Sequence, residues 1–356
     1  MKRVVIAAMV LLLVSVCVVP FASAEELKVV TLNIWSGLDY EGVFKFGEYE
    51  SDDVREARYD TQIELLRSLD PDILTTNENT KLPRNAKFIA KGLGMDYVHH
   101  VAMGGIRIGN VGIPVNYREG DVIFARDGLN LTDGGKRKLS GGGITGDCVT
   151  IHTTESRQVI CGVIEVAGRD VYIFNAHIHA SVANQPWVYE KLEEMYKAGE
   201  MTEEEYLFEV EDMKTRAENR AEEVRGILAF IEETVPEGAP IILMGDFNAE
   251  VVSPEIQQII DAGFIDSYSL MNPDDPGYTW DPEKNQNIID YYTPIKDTMS
   301  VGDQIDYFAQ YRIDLIFVGG SLTAENVLES GLVLDEMVDG QHPSDHFGVM
   351  TIIDIP

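Results

Sequence analysis

The fold class that this sequence predicts is a mixed α/β sandwich with helices packed on its outer faces. Three observations carry the prediction. Short apolar runs rich in Val and Ile recur from Leu27 almost to the C-terminus, as buried sheet requires. Their connections alternate between turn-like and helix-like lengths, the mark of mixed sheets with helical outer layers. No repeat, low-complexity tract or clear linker interrupts them, and 356 residues suffice for a sizeable core, so residues 25–356 read as one domain.

In chain order the expected strands are "LKVVTLNIW", "DILTTNE", "DVIFA", "CVTIHTT", "QVICGVIEV", "DVYIFNAHI", "PIILMGDFN", "RIDLIFVGG" and "GVMTIID". A helix is expected from Arg55 to Leu69, with apolar residues at Ile63, Leu65, Leu66 and Leu69 and a stop at Asp70-Pro71. A second helical region, about Trp187 to Thr234, is dense in Glu, Lys, Met and Leu. Within it Gly199 suits the end of one helix and Thr202 the cap of another, so the segment reads as a charged helical hairpin inserted into the sheet order. The Gly-rich stretch "LSGGGITGD" lacks the Gly-Lys-Ser/Thr of a phosphate loop and reads as a flexible surface loop.

The N-terminus begins with Lys2 and Arg3, continues through "VVIAAMVLLLVSVCVVPF" and reaches Ala22-Ser23-Ala24, the pattern of a secretory signal cut after Ala24. An uncleaved anchor is the competing reading, because the run approaches the roughly 18 residues that span a bilayer. Lipid attachment at Cys17 fits less well, since Val16 is larger than the small residue expected before it. The expected location is secreted or extracytoplasmic, with no integral membrane segment after cleavage. Cleavage removes two cations, taking the formal net charge from −32 to about −34. Such a field argues against tight sequence-independent binding to nucleic acid or anionic membrane. It leaves open chemistry on phosphate esters through a bound cation, which inverts the local charge logic. Cys148 and Cys161 remain in the mature chain; a hairpin disulfide and two buried thiols on neighbouring strands are both open.

Nearly every expected strand carries near one end a polar residue with no evident core role: Asn33, Glu78, His177 and Asp246 with Asn248 where theirs finish, Asp314 inside "RIDLIF", and Asp345 with His346 entering the last. Rigid sheets aim functional groups from such ends. Singly, each is more simply a backbone cap; as a set they supply what attack on a phosphodiester needs, namely acids for a cation, hydrogen-bond donors and a base. Asp345 and His346 are adjacent, so both can face one site only where the chain bends, which Pro343 makes plausible. Several other patterns carry less. His177 and His179 share a strand face but lack a third zinc ligand, His99 and His100 read as surface residues, "DPEKNQNIID" lacks the Gly of a calcium loop, and "NLT" at Asn130 is only a conditional glycosylation acceptor.

The motifs "TLNIW", "NE" at Asn77-Glu78, "NAHI", "GDFN", "RIDLIF" and "SDHFGV", with weaker echoes in "GDVIFAR" and "GYTW", stand in one order along the chain. In these the sequence resembles the endonuclease/exonuclease/phosphatase superfamily, which includes deoxyribonuclease I, abasic-site endonucleases, inositol polyphosphate 5-phosphatases and neutral sphingomyelinases. The resemblance implies a two-sheet α/β sandwich of the deoxyribonuclease I-like kind and a metal-dependent phosphoric ester hydrolase, most simply a phosphodiesterase. It implies Glu78 as principal ligand of a divalent ion, with Asn33 and Asp345 as direct or water-mediated ligands; oxygen donors suit Mg2+ first, then Mn2+ or Ca2+. Asp246 and Asn248 would orient or deprotonate the attacking water and hold the phosphate. His346 would donate to the phosphoryl oxygens with Asp314 fixing its ring, and His177 would be a second donor. Arg157 is a further candidate phosphate contact.

The sequence departs from that family's pattern in three places: Asn77 replaces a Gln, Ala176 replaces a Thr, and the helical segment after His177 is longer than expected. The expected substrate is a phosphoester, whether nucleic acid, phospholipid or small phosphodiester, with no protein partner. Nuclease-like and sphingomyelinase-like readings stand side by side. A non-catalytic extracellular binding module retaining the fold is the alternative.

Overall fold

The computed structural model describes residues 25–37, 51–103, 106–108, 111–112, 118–145, 149–180 and 185–356. The expected signal segment and Cys148 lie outside the described residues. Two mixed sheets pack face to face. The first has six strands in the order β13 (Val327–Val333), β14 (Gly348–Ile355), β1 (Glu25–Asn33), β2 (Ile73–Asn79), β6 (Glu119–Arg126) and β3 (Met95–Met103). The second has eight. Its main path runs β11 (Ile265–Asp266), β12 (Asp314–Gly320), β10 (Pro240–Asp246), β9 (Arg169–His177), β8 (Val149–Val166), β4 (Ile106–Ile108) and β5 (Val111–Gly112), and β7 (Thr132–Thr145) pairs with β8.

Both faces of each sheet are covered, which is why the central strands read as nearly continuous apolar runs. Alternate residues separate into layers. Leu27, Val29, Ile173, Ile242, Met244, Ile316 and Val318 meet in the core between the sheets. Val30, Leu32, Leu74 and Phe124 instead pack against α1 (Asp52–Leu69) and α2 (Arg84–Leu93) through Ile63, Leu66 and Ile89. On the opposite outer face Phe174, Leu243 and Phe317 meet Ile227, Phe230 and Ile256.

The helical segment follows its sequence signals closely. α3 (Pro186–Ala198) ends on Gly199 at φ 74, and α4 (Glu203–Thr234) begins with a reciprocal capping box between Thr202 and Glu205. It is not wholly an excursion, however. The C-terminal half of α4 supplies Val224, Ile227, Phe230 and Ile231 to the outer core beside α5 (Pro254–Asp261), while its N-terminal half packs with α3.

Two sequence expectations are corrected. "LSGGGIT" is not a flexible loop but the end of β7, paired with β8. Its glycines occupy register shifts, with Gly141 and Gly142 at φ 61 and 78, where a side chain would be strained. "CVTIHTT" and "QVICGVIEV" are not two strands; apart from Cys148 they belong to the 18-residue β8, because Glu155-Ser156-Arg157 contains no Gly or Pro to break it. Three smaller points differ or add detail. His100 is half-buried on β3, a strand the sequence did not announce, with its Nε2 3.1 Å from Asp133. Asp281 caps a turn, accepting from Glu283 N at 3.0 Å. Cys161 is a buried thiol in β8, pushed up to about 12 by burial.

Candidate active site

The periodicity that builds the inter-sheet core also builds the site. Val29 and Thr31 are followed on the same strand face by Asn33, Ile173 and Asn175 by His177, and Ile242 and Met244 by Asp246; Asp314 precedes Ile316 and Val318 on theirs. Each polar residue is therefore the last inward-facing position before its strand leaves the sandwich. Register sets them side by side, since Asp246 lies opposite His177 on β9 and opposite Asp314 on β12. The resulting cleft, about 360 Å³, is lined by Glu78, Arg157, His177, Asp246, Asn248, Asp345 and His346.

On one side of the cleft, His346 Nδ1 and Asp314 Oδ2 are 2.8 Å apart and both residues are buried. Thr279 locks this pair in place: its Oγ1 accepts from the N–H groups of Ile313 and Asp314 at 3.1 Å, and its carbonyl accepts from Phe347 N at 2.8 Å. Trp280 packs edge-on against the imidazole at 5.2 Å. Burial opposes a charge on His346, but Asp314, with Asp246 and Asp345, overrides it and holds the imidazolium well above the ordinary histidine range. Asp246 accepts from Asn33 Nδ2 at 3.0 Å and from Asn248 N at 2.9 Å. Burial first, and Asp314's charge second, push its carboxyl upward, toward the range in which a carboxylate is an effective base near neutrality. Asn248 itself is held at φ 44 with its Nδ2 donating to Ile178 O at 3.2 Å.

His177 is arranged differently from the expectation of a simple donor. An Arg157 nitrogen lies 2.8 Å from its Nε2. A guanidinium has no acceptor, so the ring nitrogen must accept. Burial, Arg157 and His346 all lower its pKa well below the usual value. The pair therefore presents a neutral imidazole with a fixed cation beside it, and Arg157, 5% exposed, is the charged donor facing the cleft.

Across the cleft, Glu78 is held at φ 59, a left-handed conformation that costs a non-glycine residue energy and often marks a functional position. Its oxygens accept from Asn33 Nδ2 at 3.0 Å and Ser36 N at 2.9 Å. Because Asn33 Nδ2 faces two carboxylates and its Oδ1 accepts from Trp35 N, the amide orientation is forced; Asn33 bridges Glu78 to Asp246. Asp345 is buried, and desolvation together with Glu78's charge outweighs His346 and Arg58 and raises its pKa to about 7. Buried Asp345 and half-buried Glu78, two carboxyl groups facing one cleft, suit a hard divalent cation, which would offset their repulsion through oxygen ligands. Asp246, Asp314 and His346 also bring potential ligand atoms within 4.8 Å of one another. The charged His346 ring has no lone pair to offer an ion, which leaves the carboxylate oxygens around the cleft, Glu78 and Asp345 among them, as groups that could hold one.

The structure thus gathers all nine sequence-nominated residues, with Asn33 and Asp314 standing just behind the lining. Sequence reasoning missed the layer beneath. Asp121 accepts from Asn77 and Gln158, each at 2.8 Å, and Asn175 Nδ2 donates to Thr76 and Val122 carbonyls at 3.0 Å, tying the two sheets together under the cleft. It also missed the aromatic wall of Trp35, Tyr291, Tyr292 and Tyr307, part of it on α7 (Gln286–Tyr292) and α8 (Val301–Tyr307). Only "GYTW" hinted at this side.

A two-sheet sandwich carrying a buried Asp–His pair, a neighbouring acid and an arginine at one end defines a hydrolytic cleft for anionic esters. The family model described as "Endonuclease/Exonuclease/phosphatase family" matches residues 30–346, and the chain belongs to that family, whose members are hydrolases of phosphoester bonds. The fold is shared with D. rerio TDP2 complexed with single strand DNA product (18% identity, TM-score 0.57, covering 93% of this chain and 99% of that one). It is also shared with an endonuclease/exonuclease/phosphatase family protein from Bacteroides thetaiotaomicron (18%, 0.57, 94% and 99%) and with truncated Caenorhabditis elegans TDP2 (16%, 0.54, 93% and 98%). No curated protein sequence matches the chain.

Proposed function

We propose that the protein is an exported, divalent-metal-dependent phosphodiesterase that cleaves its substrate by a single in-line attack of water. The observation that carries this reading is the 2.8 Å contact of His346 with Asp314 across the cleft from the carboxylate pair Glu78 and Asp345. A divalent cation held by Glu78 and Asp345, with Asn33 orienting Glu78, would supply charge neutralisation at the phosphoryl oxygens. The chain's own groups account for the remainder. Asp246, with its proton affinity raised, takes a proton from water as the water oxygen bonds to phosphorus and the bond to the leaving oxygen breaks. The N–H of Asn248 fixes the Asp246 carboxylate for this. His346, charged because of Asp314, and Arg157, braced by His177, donate to the non-bridging oxygens where negative charge accumulates. Among the described lining residues Ser36 is the one serine and there is no cysteine; with Asp246 present as a base for water, the single-displacement route is the simplest.

Export rests on the N-terminal pattern alone. Within the phosphodiesters, a nuclease-like substrate is supported by the DNA product bound by D. rerio TDP2. The test is a panel of DNA, RNA, sphingomyelin and bis-(p-nitrophenyl) phosphate, each with and without EDTA, run in H2(18)O. The expected result is metal-dependent cleavage with one solvent oxygen in the phosphate product. Absence of metal-dependent cleavage of every substrate overturns the proposal and leaves the non-catalytic module.

A further inference from the structure

Asp345 and His346 sit on a turn that belongs to neither sheet. Pro343 to His346 bend between the bridge of Val338 with Gln341 and the start of β14, so the carbonyls leading into the pair enter no sheet ladder. A buried carbonyl left without a donor is costly, and each must find one elsewhere. Three in succession find it in side-chain amides. His342 O accepts from Asn287 Nδ2 at 2.9 Å, Pro343 O from Gln62 Nε2 at 2.6 Å, and Ser344 O from both Asn285 Nδ2 and Asn287 Nδ2 at 3.0 Å.

The hydrogen bonds fix the orientation of all three amides. Asn285 Oδ1 accepts from Asn287 N at 3.1 Å, capping α7, which turns its Nδ2 to Ser344. Asn287 Nδ2 and Gln62 Nε2 each face two carbonyls, the second for Gln62 being Ile34 O at 3.2 Å. Gln62, on α1 and 1% exposed, thereby holds the chain just after Asn33 to the chain just before Asp345. Asn285, fully buried, and Asn287 stand at the start of α7, whose far end places Tyr291 and Tyr292 in the cleft. Ser344 fastens the turn from within: its Oγ lies 2.6 Å from Asn33 O and accepts from His346 N at 3.3 Å. The Ser344 carbonyl is part of the planar peptide group that leads into Asp345, so two amides on that one oxygen set the plane from which the Asp345 side chain departs. Water would satisfy the same carbonyls in many geometries; these amides satisfy them in one.

We propose that Gln62, Asn285 and Asn287 are positioning residues, fixing the turn so that Asp345 meets the cation and His346 the phosphoryl oxygens. The proposal rests on the catalytic reading of that pair. Neutral variants that remove the donors test it: Gln62→Leu, and separately Asn285→Ser/Asn287→Ser, which keeps a helix cap and carries the test even if Gln62→Leu fails to fold. The control is Asn272→Leu, because Asn272 Nδ2 also donates to two carbonyls, Tyr268 O at 3.2 Å and Ser330 O at 2.8 Å, but lines no part of the cleft. In EDTA, hydrogen exchange at the His346 N–H should quicken by about tenfold or more in the variants and not in the control. Calorimetric Mg2+ affinity should weaken by about tenfold or more, and kcat for bis-(p-nitrophenyl) phosphate should fall by about 10–100-fold with KM little changed, while the control keeps wild-type values of both. Unchanged exchange, Mg2+ affinity and kcat at wild-type values in the folded variants, or an equal loss in Asn272→Leu, each overturns the proposal. A wild-type chain that cleaves nothing removes the catalytic reading instead; exchange and Mg2+ affinity, which need no turnover, then decide whether the amides hold the turn.

Discussion

Replacing Asp314 by Asn keeps the shape of the side chain and removes the charge behind His346. The two groups are 2.8 Å apart, with Asp314 0% and His346 4% exposed, so little water is available to take over the carboxylate's part. Burial alone would discharge the imidazole; it stays protonated because the surrounding carboxylates outweigh that penalty. Asp314→Asn therefore leaves a His346 that is mostly neutral near pH 7 and less firmly oriented. A lost charged donor of this kind costs roughly 10²–10³-fold in kcat, about 3–4 kcal/mol of barrier. Stability falls as well, by up to ~3–5 kcal/mol, the range for breaking a buried pair. The sign of its pH dependence is fixed. A histidine whose folded-state pKa is raised contributes stability that is complete below its unfolded value of ~6.5 and is lost as pH rises through the raised value. The stability gap between wild type and variant should accordingly narrow toward alkaline pH. The assays are kcat for bis-(p-nitrophenyl) phosphate across about pH 5–9 and urea unfolding in EDTA over the same range. A variant with kcat within about twofold of wild type and an unchanged pH profile refutes the role given to the pair.

Three further outcomes follow from the same geometry. With Asp345 raised to about 7, Mg2+ binding should release a proton below that pH and weaken as pH falls through it, and Glu78→Gln or Asp345→Asn should each weaken it by about tenfold or more; calorimetry in buffers of different ionisation enthalpy reads both, and a pH-independent affinity contradicts the assignment. Arg157→Ala removes the cation beside His177, so kcat/KM should drop by about 10–100-fold and the His177 ring resonance should titrate at higher pH than in wild type; an unmoved titration contradicts the pairing. The Arg220–Glu255 bridge, 3.0 Å long and only 1–2% exposed on either side, joins α4 to α5. Arg220→Leu should cost ~3–5 kcal/mol in urea unfolding and the double change Arg220→Leu/Glu255→Leu clearly less, whereas equal losses would mean the pair itself is stabilising.

Much of the catalytic side was legible in the sequence because the strands that carry it are central. β1, β9, β10 and β12 are covered on both faces, so their apolar runs are long, and a polar residue at the end of such a run stands out. The Gly199 and Thr202 signals were equally local and marked the α3–α4 boundary correctly. What stayed hidden is set by tertiary context. β3 and β13 are edge strands, half-buried or alternating, and their composition resembles loops. The glycines of β7 signal a loop by composition but serve bulges against β8, which only pairing reveals. Asp121 and Asn175 look like ordinary strand polar residues until the second sheet closes over them. The aromatic wall is assembled from short helices with no motif. Asn85 sits in an amphipathic helix, and its burial with no hydrogen-bond partner among the described residues leaves no trace in the pattern.

The most direct test of the catalytic account is the rate of p-nitrophenol release from bis-(p-nitrophenyl) phosphate by the wild-type chain and by His346→Ala, each with Mg2+ and with EDTA. The account predicts release by the wild-type chain in Mg2+, its loss in EDTA with recovery on adding the metal back, and a fall of about 10²-fold or more in His346→Ala. Release that survives EDTA, or that His346→Ala supports as well as wild type, contradicts it.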